Sequence, residues 1–225
     1  MRAHIVWDWN GTLFDDITAV VAASNAAFAE IGLGPLTVEQ YRASYRVPVI
    51  DFYEQLMGRR PSSVEWERMD ASFHVHYTAR RDACGLTAGA EELLAGWPGG
   101  GLRSQSLLSM YGHAELVPLV RRLGLERHFV RVDGRDGTSG VSGKAEYLRR
   151  HLDALSVAAD GQFAPAGTVL IGDAVDDARA AALVGAHAVL FTGGSHTRAE
   201  LERVGVPVVD TLAEAVAQAE RLVGS

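Results

Sequence analysis

His4-Ile5-Val6-Trp7-Asp8-Trp9-Asn10-Gly11-Thr12-Leu13-Phe14-Asp15-Asp16 starts as a short apolar run, meets a carboxylate and breaks at Gly-Thr. The pattern reads as a buried parallel strand that ends in a tight loop. In an open α/β sheet, ligands bind at the carboxyl ends of the strands, which puts Asp8 at the mouth of a site. A carboxylate in this place also serves simply to cap the turn into a helix. A second acidic strand end favours the site: Thr168-Val169-Leu170-Ile171-Gly172-Asp173, with Asp176 and Asp177 behind it.

Outward from these two stretches the chain divides. Residues 17–31 carry apolar side chains at helical spacing and stop at Gly32 and Gly34-Pro35. Thr37-Val38-Glu39-Gln40 has the form of a capping box, and Pro48 opens another helix that runs to about Met57. Residues 61–82 place Trp66, Met69, Phe73 and Tyr77 on one helical stripe, a surface for packing between helices. His74 and His76, two apart, point in different directions on that helix and do not share a metal. No strand pattern falls between Asp16 and Ala90, so residues 16–85 read as a helical block inserted after the first strand.

Beyond it, strands are expected at 102–110, 128–132, 168–171, 188–191 and 206–209. Helices fall before and between them, and Gly96-Trp97-Pro98-Gly99-Gly100-Gly101 and residues 162–166 serve as loops. Alternation of this kind implies an α/β fold, a doubly wound parallel sheet covered on both faces, formed by residues 1–15 and 86–225.

The chain of 225 residues is long enough for a sizeable core, and 48% hydrophobic with 22% charged residues is ordinary for a globular protein. A net charge of -7 argues against nucleic acid, which wants clustered Lys and Arg. No apolar run approaches the roughly 20 residues that span a bilayer. The first strand begins without a basic region, an apolar stretch and a cleavage site, so a cytoplasmic protein is expected. Cys84 stands alone, which excludes an internal disulfide and a cysteine-based zinc cluster.

Four segments in order resemble the haloacid dehalogenase superfamily. Asp8-Trp9-Asn10-Gly11-Thr12 is similar to its Asp-x-Asp-Gly-Thr motif, and Ser109 in Leu107-Leu108-Ser109 to the Ser or Thr at a strand end. Lys144 in Ser142-Gly143-Lys144-Ala145 matches its lysine, and Gly172-Asp173 with Asp177 its Gly-Asp-x-x-x-Asp. The helical block looks like the cap of the phosphoglycolate-phosphatase-like branch. The resemblance implies a Mg2+-dependent phosphatase acting on a small phosphorylated metabolite through an aspartyl-phosphate on Asp8. It implies metal ligands in the carboxylates of Asp8 and Asp173 and the backbone carbonyl of Asn10, with Asp177 behind them orienting water or Lys144. Lys144, the Ser109 hydroxyl and the loop at Gly11 and Thr12 would hold the phosphoryl oxygens. Two carboxylates about 4 Å apart repel by roughly 4 kcal/mol at an effective dielectric of 20, so such a cluster needs cations, and Mg2+ suits it. Arg46, between two helices of the block, is the candidate for an anionic end of the substrate, and Trp9 for shaping the pocket.

Asn10 departs from the motif, since an amide cannot shuttle the proton that the family's second Asp carries. Losing a general acid or base typically costs about 10² to 10⁴ in rate. Three readings follow: slow work on ordinary esters, preference for activated phosphates, or a proton from elsewhere, with Asp15, Asp16 and Asp176 nearest in sequence. A binding or regulatory protein that has lost turnover, or a phosphotransferase, are the alternatives. Residues 138–144 resemble a P-loop but have Thr138 for its first glycine and Ala145 for its Ser or Thr. Neither a Gly-x-Gly-x-x-Gly turn nor a Gly-x-Ser-x-Gly elbow is present.

Overall fold

β1 (Ala3–Trp7) is buried along its length and lies in the middle of a six-stranded sheet. Its side chains alternate between two cores, as the period of a strand requires. Ile5 and Trp7 enter one apolar cluster, and Val6 enters the other. β4 (Arg103–Gly112) and β6 (Thr168–Gly172) flank it, with β5 (Val132–Arg135) outside β4. β7 (His187–Phe191) and β8 (Val208–Val209) complete the order β5-β4-β1-β6-β7-β8, every pairing parallel. α5 (Ala90–Gly96), α6 (His113–Arg122) and α10 (Leu212–Val223) cover one face. α7 (Lys144–Ala158), α8 (Val175–Val184) and α9 (Arg198–Glu202) cover the other. This is the doubly wound arrangement that the alternating pattern implies. The computed structural model describes residues 3–98, 102–137, 143–158 and 163–224. Residues 138–142 of the P-loop-like string, Gly99 to Gly101 and Gln162 lie outside them.

Four helices stand between β1 and α5: α1 (Ile17–Ala29), α2 (Val38–Ser44), α3 (Val49–Met57) and α4 (Ser63–Arg81). They close around an apolar cluster of their own, with Val21, Phe28, Tyr41, Phe52 and Met69 at its centre. Thr37 with Gln40, and Ser62 with Glu65, form the capping boxes that start α2 and α4. Contrary to the pattern-based reading, a strand does occur before Ala90. β3 (Gly85–Leu86) pairs antiparallel with β2 (Phe14–Asp15). Two residues carry no periodicity, so only the partner reveals them. The strand expected at 128–132 is also displaced: Glu126–His128 is a 3-10 turn and β5 starts at Val132. The apolar pair Phe129-Val130 suggests an earlier start, and the backbone does bond β4 from there, with Val130 N donating to Gln105 O at 2.9 Å.

A string of buried polar groups crosses beneath the sheet. His151 lies 2.7 Å from Asp133 Oδ2 through Nδ1 and 2.7 Å from Ser106 Oγ through Nε2. Ser106 Oγ continues to His4 Nε2 at 2.8 Å, and His4 Nδ1 to Ser104 Oγ at 2.8 Å. Ser106, His151 and Asp133 have the composition of a hydrolytic triad, but Ser106 is fully buried in mid-strand and no substrate reaches it. The string satisfies polar atoms within the core. Among the described residues no helix is long and apolar enough to cross a membrane.

Candidate active site

The two halves of the sheet diverge from β1 and β6, and a crevice opens beyond the carboxyl ends of the strands. Asp8 follows β1, Ser109 lies late in β4, and Asp173 follows β6. Lys144 opens α7, and Asp177 stands in the first turn of α8. All five are buried and line one cavity of about 970 Å³ between the strand ends and α1–α4. Carboxylate oxygens of Asp8, Asp173 and Asp177 lie within 4.8 Å of one another. Lys144 forms ion pairs with both Asp8 and Asp177. Asp177 also accepts from Ala174 N at 2.9 Å, which seats it at the helix start.

One ammonium among three carboxylates leaves an excess of negative charge. Burial pushes the Asp8 carboxyl up; Lys144 opposes this, while Asp177 and Asp173 add to it. Asp173 is likewise raised by burial and by Asp177. Burial alone would lower Lys144, but Asp177 and Asp8 outweigh it and hold the ammonium charged. The donor set is buried, oxygen-only and short of positive charge, which fits a hard divalent cation.

Asn10 is fixed by two side-chain contacts that the sequence does not reveal. Its Nδ2 donates to Asp16 Oδ2 at 2.6 Å and to Tyr77 OH at 2.6 Å. Tyr77 in turn donates to Asp16 Oδ2 at 2.5 Å, and Gly11 N donates to Asp16 Oδ1 at 2.9 Å. Burial raises the Asp16 carboxyl, and these donors oppose the rise. Tyr77 belongs to the stripe on α4, so a packing residue also carries the bond between the helices and the loop after β1.

Gly11 has φ +69°, and a Cβ there would meet Asp173 Oδ2 at 2.8 Å. At Gly194 a Cβ would come within 2.0 Å of the same oxygen. Only glycine lets both loops close on Asp173. Ser195 then donates to Asp173 Oδ2 from its amide and its hydroxyl, each at 2.7 Å. Arg42 on α2 reaches across to the same loop, donating to Gly194 O at 2.7 Å and Gly193 O at 2.8 Å. Tyr45 sets its ring edge-on to His196, with centroids 5.4 Å apart. The advance signal for this loop is Gly193-Gly194-Ser195, one residue beyond β7.

Other candidates lie elsewhere. Arg46 lines an adjoining groove of about 520 Å³ with Asp51, Asp176 and Arg179, and donates to Gln55. Trp9 points away from the cavity, 0% exposed, and stacks on Phe14 with centroids 5.0 Å apart. Successive side chains of an extended segment face opposite ways, so Asp8 and Asn10 take the cavity and Trp9 the core. Gly11 lines the cavity, but its amide serves Asp16 and Phe14 O, the latter at 3.0 Å. Thr12 is buried under the loop, and its amide donates to Trp9 O at 3.2 Å. Cys84 is a half-buried free thiol.

Residues 3–185 match the sequence profile of the haloacid dehalogenase-like hydrolases. A phosphoglycolate phosphatase of Synechococcus elongatus is 31% identical over 203 residues, covering 88% of this chain and 87% of its own. A haloacid dehalogenase-like hydrolase of Streptococcus pneumoniae superposes with a TM-score of 0.79 at 18% identity, over 96% of this chain and 98% of that one. A hydrolase of Pseudomonas syringae gives 0.73 at 20% identity, over 97% and 99%. At these identities the two structures speak for the fold.

Proposed function

The chain belongs to the haloacid dehalogenase-like hydrolases and is a phosphatase of that family, and from this premise we propose that it hydrolyses a small phosphorylated metabolite through a phosphoryl group carried on Asp8, with Mg2+ as its cation. The observation that carries the reading is the buried ammonium of Lys144 held between Asp8 and Asp177, with Asp173 beside them. Asp8 and Asp173, with the carbonyl of Asn10, would hold the metal, which supplies positive charge to the phosphoryl oxygens.

Lys144, paired with Asp8, favours its ionised form against burial and holds it in place for in-line attack on phosphorus. As charge shifts to the phosphoryl oxygens, Lys144 and the Ser109 hydroxyl face them from the cavity wall. Asp177, bonded to Lys144 and to the α8 backbone, positions the ammonium, and Ser195 positions Asp173. The helices of residues 16–85 act as a cap: Arg42 and Tyr45 fasten them over the strand ends and exclude water. We further propose that the substrate is chosen within the cavity they enclose. The relative's named substrate, phosphoglycolate, is one member of the class to test.

The test is phosphate release from acetyl phosphate, aryl phosphates and alkyl phosphates, each with Mg2+ and with EDTA. Turnover is expected only with Mg2+, and Asp8→Asn is expected to remove it by more than about 10³-fold. Release that survives Asp8→Asn would refute the role of Asp8. The engaged amide of Asn10 supports a second reading, because a slowly hydrolysed phosphoenzyme can pass its group to another alcohol. Phosphate ester formed from added glycerol would then appear in place of free phosphate. No release of either kind, with Mg2+ bound, would assign a binding or regulatory role.

A further inference from the structure

The cavity also reports on the group attached to phosphorus, and we propose that the physiological substrate is the phosphate monoester of an aromatic hydroxyl, its ring seated against the apolar wall of the cap. This rests on the phosphatase reading above. Two independent observations carry it, one about protons and one about the wall.

An alkoxide is too basic to leave phosphorus without a proton, whereas a phenolate leaves unaided. Beside Asp8, the amide of Asn10 has both hydrogens engaged, one on Asp16 Oδ2 and one on Tyr77 OH, each at 2.6 Å. A carboxylate facing the amide fixes which end is nitrogen, so Asn10 has only its oxygen, an acceptor, to offer elsewhere. The hydrogen of Tyr77 goes to Asp16 as well, at 2.5 Å, and so does that of the Gly11 amide, at 2.9 Å. Every donor of this network is thus spent within it, on Asp16 or on Tyr77 OH. Lys144 is held between Asp8 and Asp177. Ser109 is itself an alcohol, no stronger an acid than the alcohol it would have to protonate. Burial raises the phenols of Tyr41, Tyr45, Tyr53 and Tyr111 around the cavity, which weakens them as acids.

The wall opposite the carboxylates is apolar. Val47, Val49, Ile50, Trp66 and Phe73 line it from the cap. Val47 and Val49 remain 41% and 37% exposed there, apolar surface left open beside a catalytic centre. The volume of about 970 Å³ stands at the upper end for small-molecule sites and far exceeds a two-carbon acid. Beyond the Asp8, Asp173, Asp177 and Lys144 cluster, the described lining sets Arg135, Arg179 and His74 against Asp16, Asp70 and Asp176. The His74 imidazole, the one among the described lining residues, is committed to Asp70 at 3.5 Å, which raises its pKa and holds its proton there. Among the described residues the lining has no cationic excess to hold a second anionic group, which favours an uncharged organic part.

The step balances without a proton donor. Asp8 Oδ forms a bond to phosphorus, the P–O(aryl) bond breaks, and its electron pair leaves with the phenolate, which takes a proton from solvent. Water then attacks phosphorus, the P–O(Asp8) pair returns to the carboxylate, and both protons of the water depart with the phosphate.

Steady-state kinetics on the purified full chain with Mg2+ test this, using phenyl, 1-naphthyl, benzyl and propyl phosphate, phosphoglycolate and acetyl phosphate. Benzyl phosphate separates the two observations, because it carries the ring but leaves as an alkoxide. The expected result is a kcat/KM for phenyl and naphthyl phosphate at least about 100-fold above propyl phosphate and phosphoglycolate, within the range of a missing general acid. Benzyl phosphate should compete with phenyl phosphate at a similar concentration and turn over at least about 100-fold more slowly. Benzyl phosphate or phosphoglycolate hydrolysed as fast as phenyl phosphate would overturn the inference and leave the phosphatase reading standing. Propyl phosphate competing as well as benzyl phosphate would overturn the ring site. No release from any compound, acetyl phosphate included, would bring down the phosphatase reading itself.

Discussion

Asn10 and Asp16 form an amide–carboxylate pair 2.6 Å apart in which the acid stands behind the amide. Replacing Asn10 alone with Asp sets two carboxylates face to face, a repulsion on the order of 5 kcal/mol at about 3 Å and an effective dielectric of 20. The single variant Asn10→Asp is therefore expected to stay within about threefold of the parent on propyl phosphate. Exchanging the pair, Asn10→Asp with Asp16→Asn, keeps the hydrogen bond and moves the acid two residues from Asp8. The kcat on propyl phosphate should then rise at least tenfold, part of the roughly 10² to 10⁴ that a general acid contributes. An unchanged kcat would show that proton supply is not limiting. That Asp8, Ser109 and Asp173 would share one sheet edge was legible, because each lies at or near the carboxyl end of a strand in a parallel sheet. The partners of Asn10 were not: Tyr77 is 67 residues away, and its helical stripe announces packing and nothing more. Ser195 and Arg42 escaped for the same reason, since their bonds join loops and helices with no common pattern.

Among the elements, α2 works as the fastener of the cap. Arg42 gives it two charge-assisted hydrogen bonds to the Gly193 and Gly194 carbonyls, each worth roughly 1.5–3 kcal/mol in comparable settings. Arg42→Ala is expected to raise KM by about tenfold or more on any substrate that the closed cavity surrounds, with little change in melting temperature. Arg42→Lys should recover only part of this, because a point charge cannot serve two carbonyls as a planar fork does. Equal KM values in all three proteins would mean that closure does not depend on this contact. Tyr77→Phe on α4 frees one Asn10 hydrogen and leaves the ring packed, at an expected cost of about 1 kcal/mol in urea unfolding. The long elements were readable from periodicity and caps, as at Thr37 and Ser62. β2 and β3 were not, because two-residue strands exist only by virtue of each other.

The molecule as a whole stores an acid sensitivity in its core. Burial, with a smaller contribution from His151, pushes the His4 imidazole down to about 3, and burial also lowers His151. Both are held neutral, so the unfolded chain takes up protons below about 6.5 that the folded chain refuses. Stability should therefore fall with pH below about 6.5, by up to about 1.4 kcal/mol per pH unit from His4 down towards 3, with His151 adding in the same direction. Urea unfolding at pH 7, 6 and 5 measures it, and His4→Gln should flatten the slope by one proton; an unaltered slope would remove His4 from the account. A different consequence follows from where the chain crosses between sheet and helices. It leaves through Phe14–Asp15 and returns through Gly85–Leu86, side by side. Cut there, the two ends lie about 5 Å apart, near enough for a two-residue turn to join them. The helices own their core, and the register of the sheet depends on none of them. The insert is in effect a cassette, entered and left at one point, whose own core is separate from that of the strands.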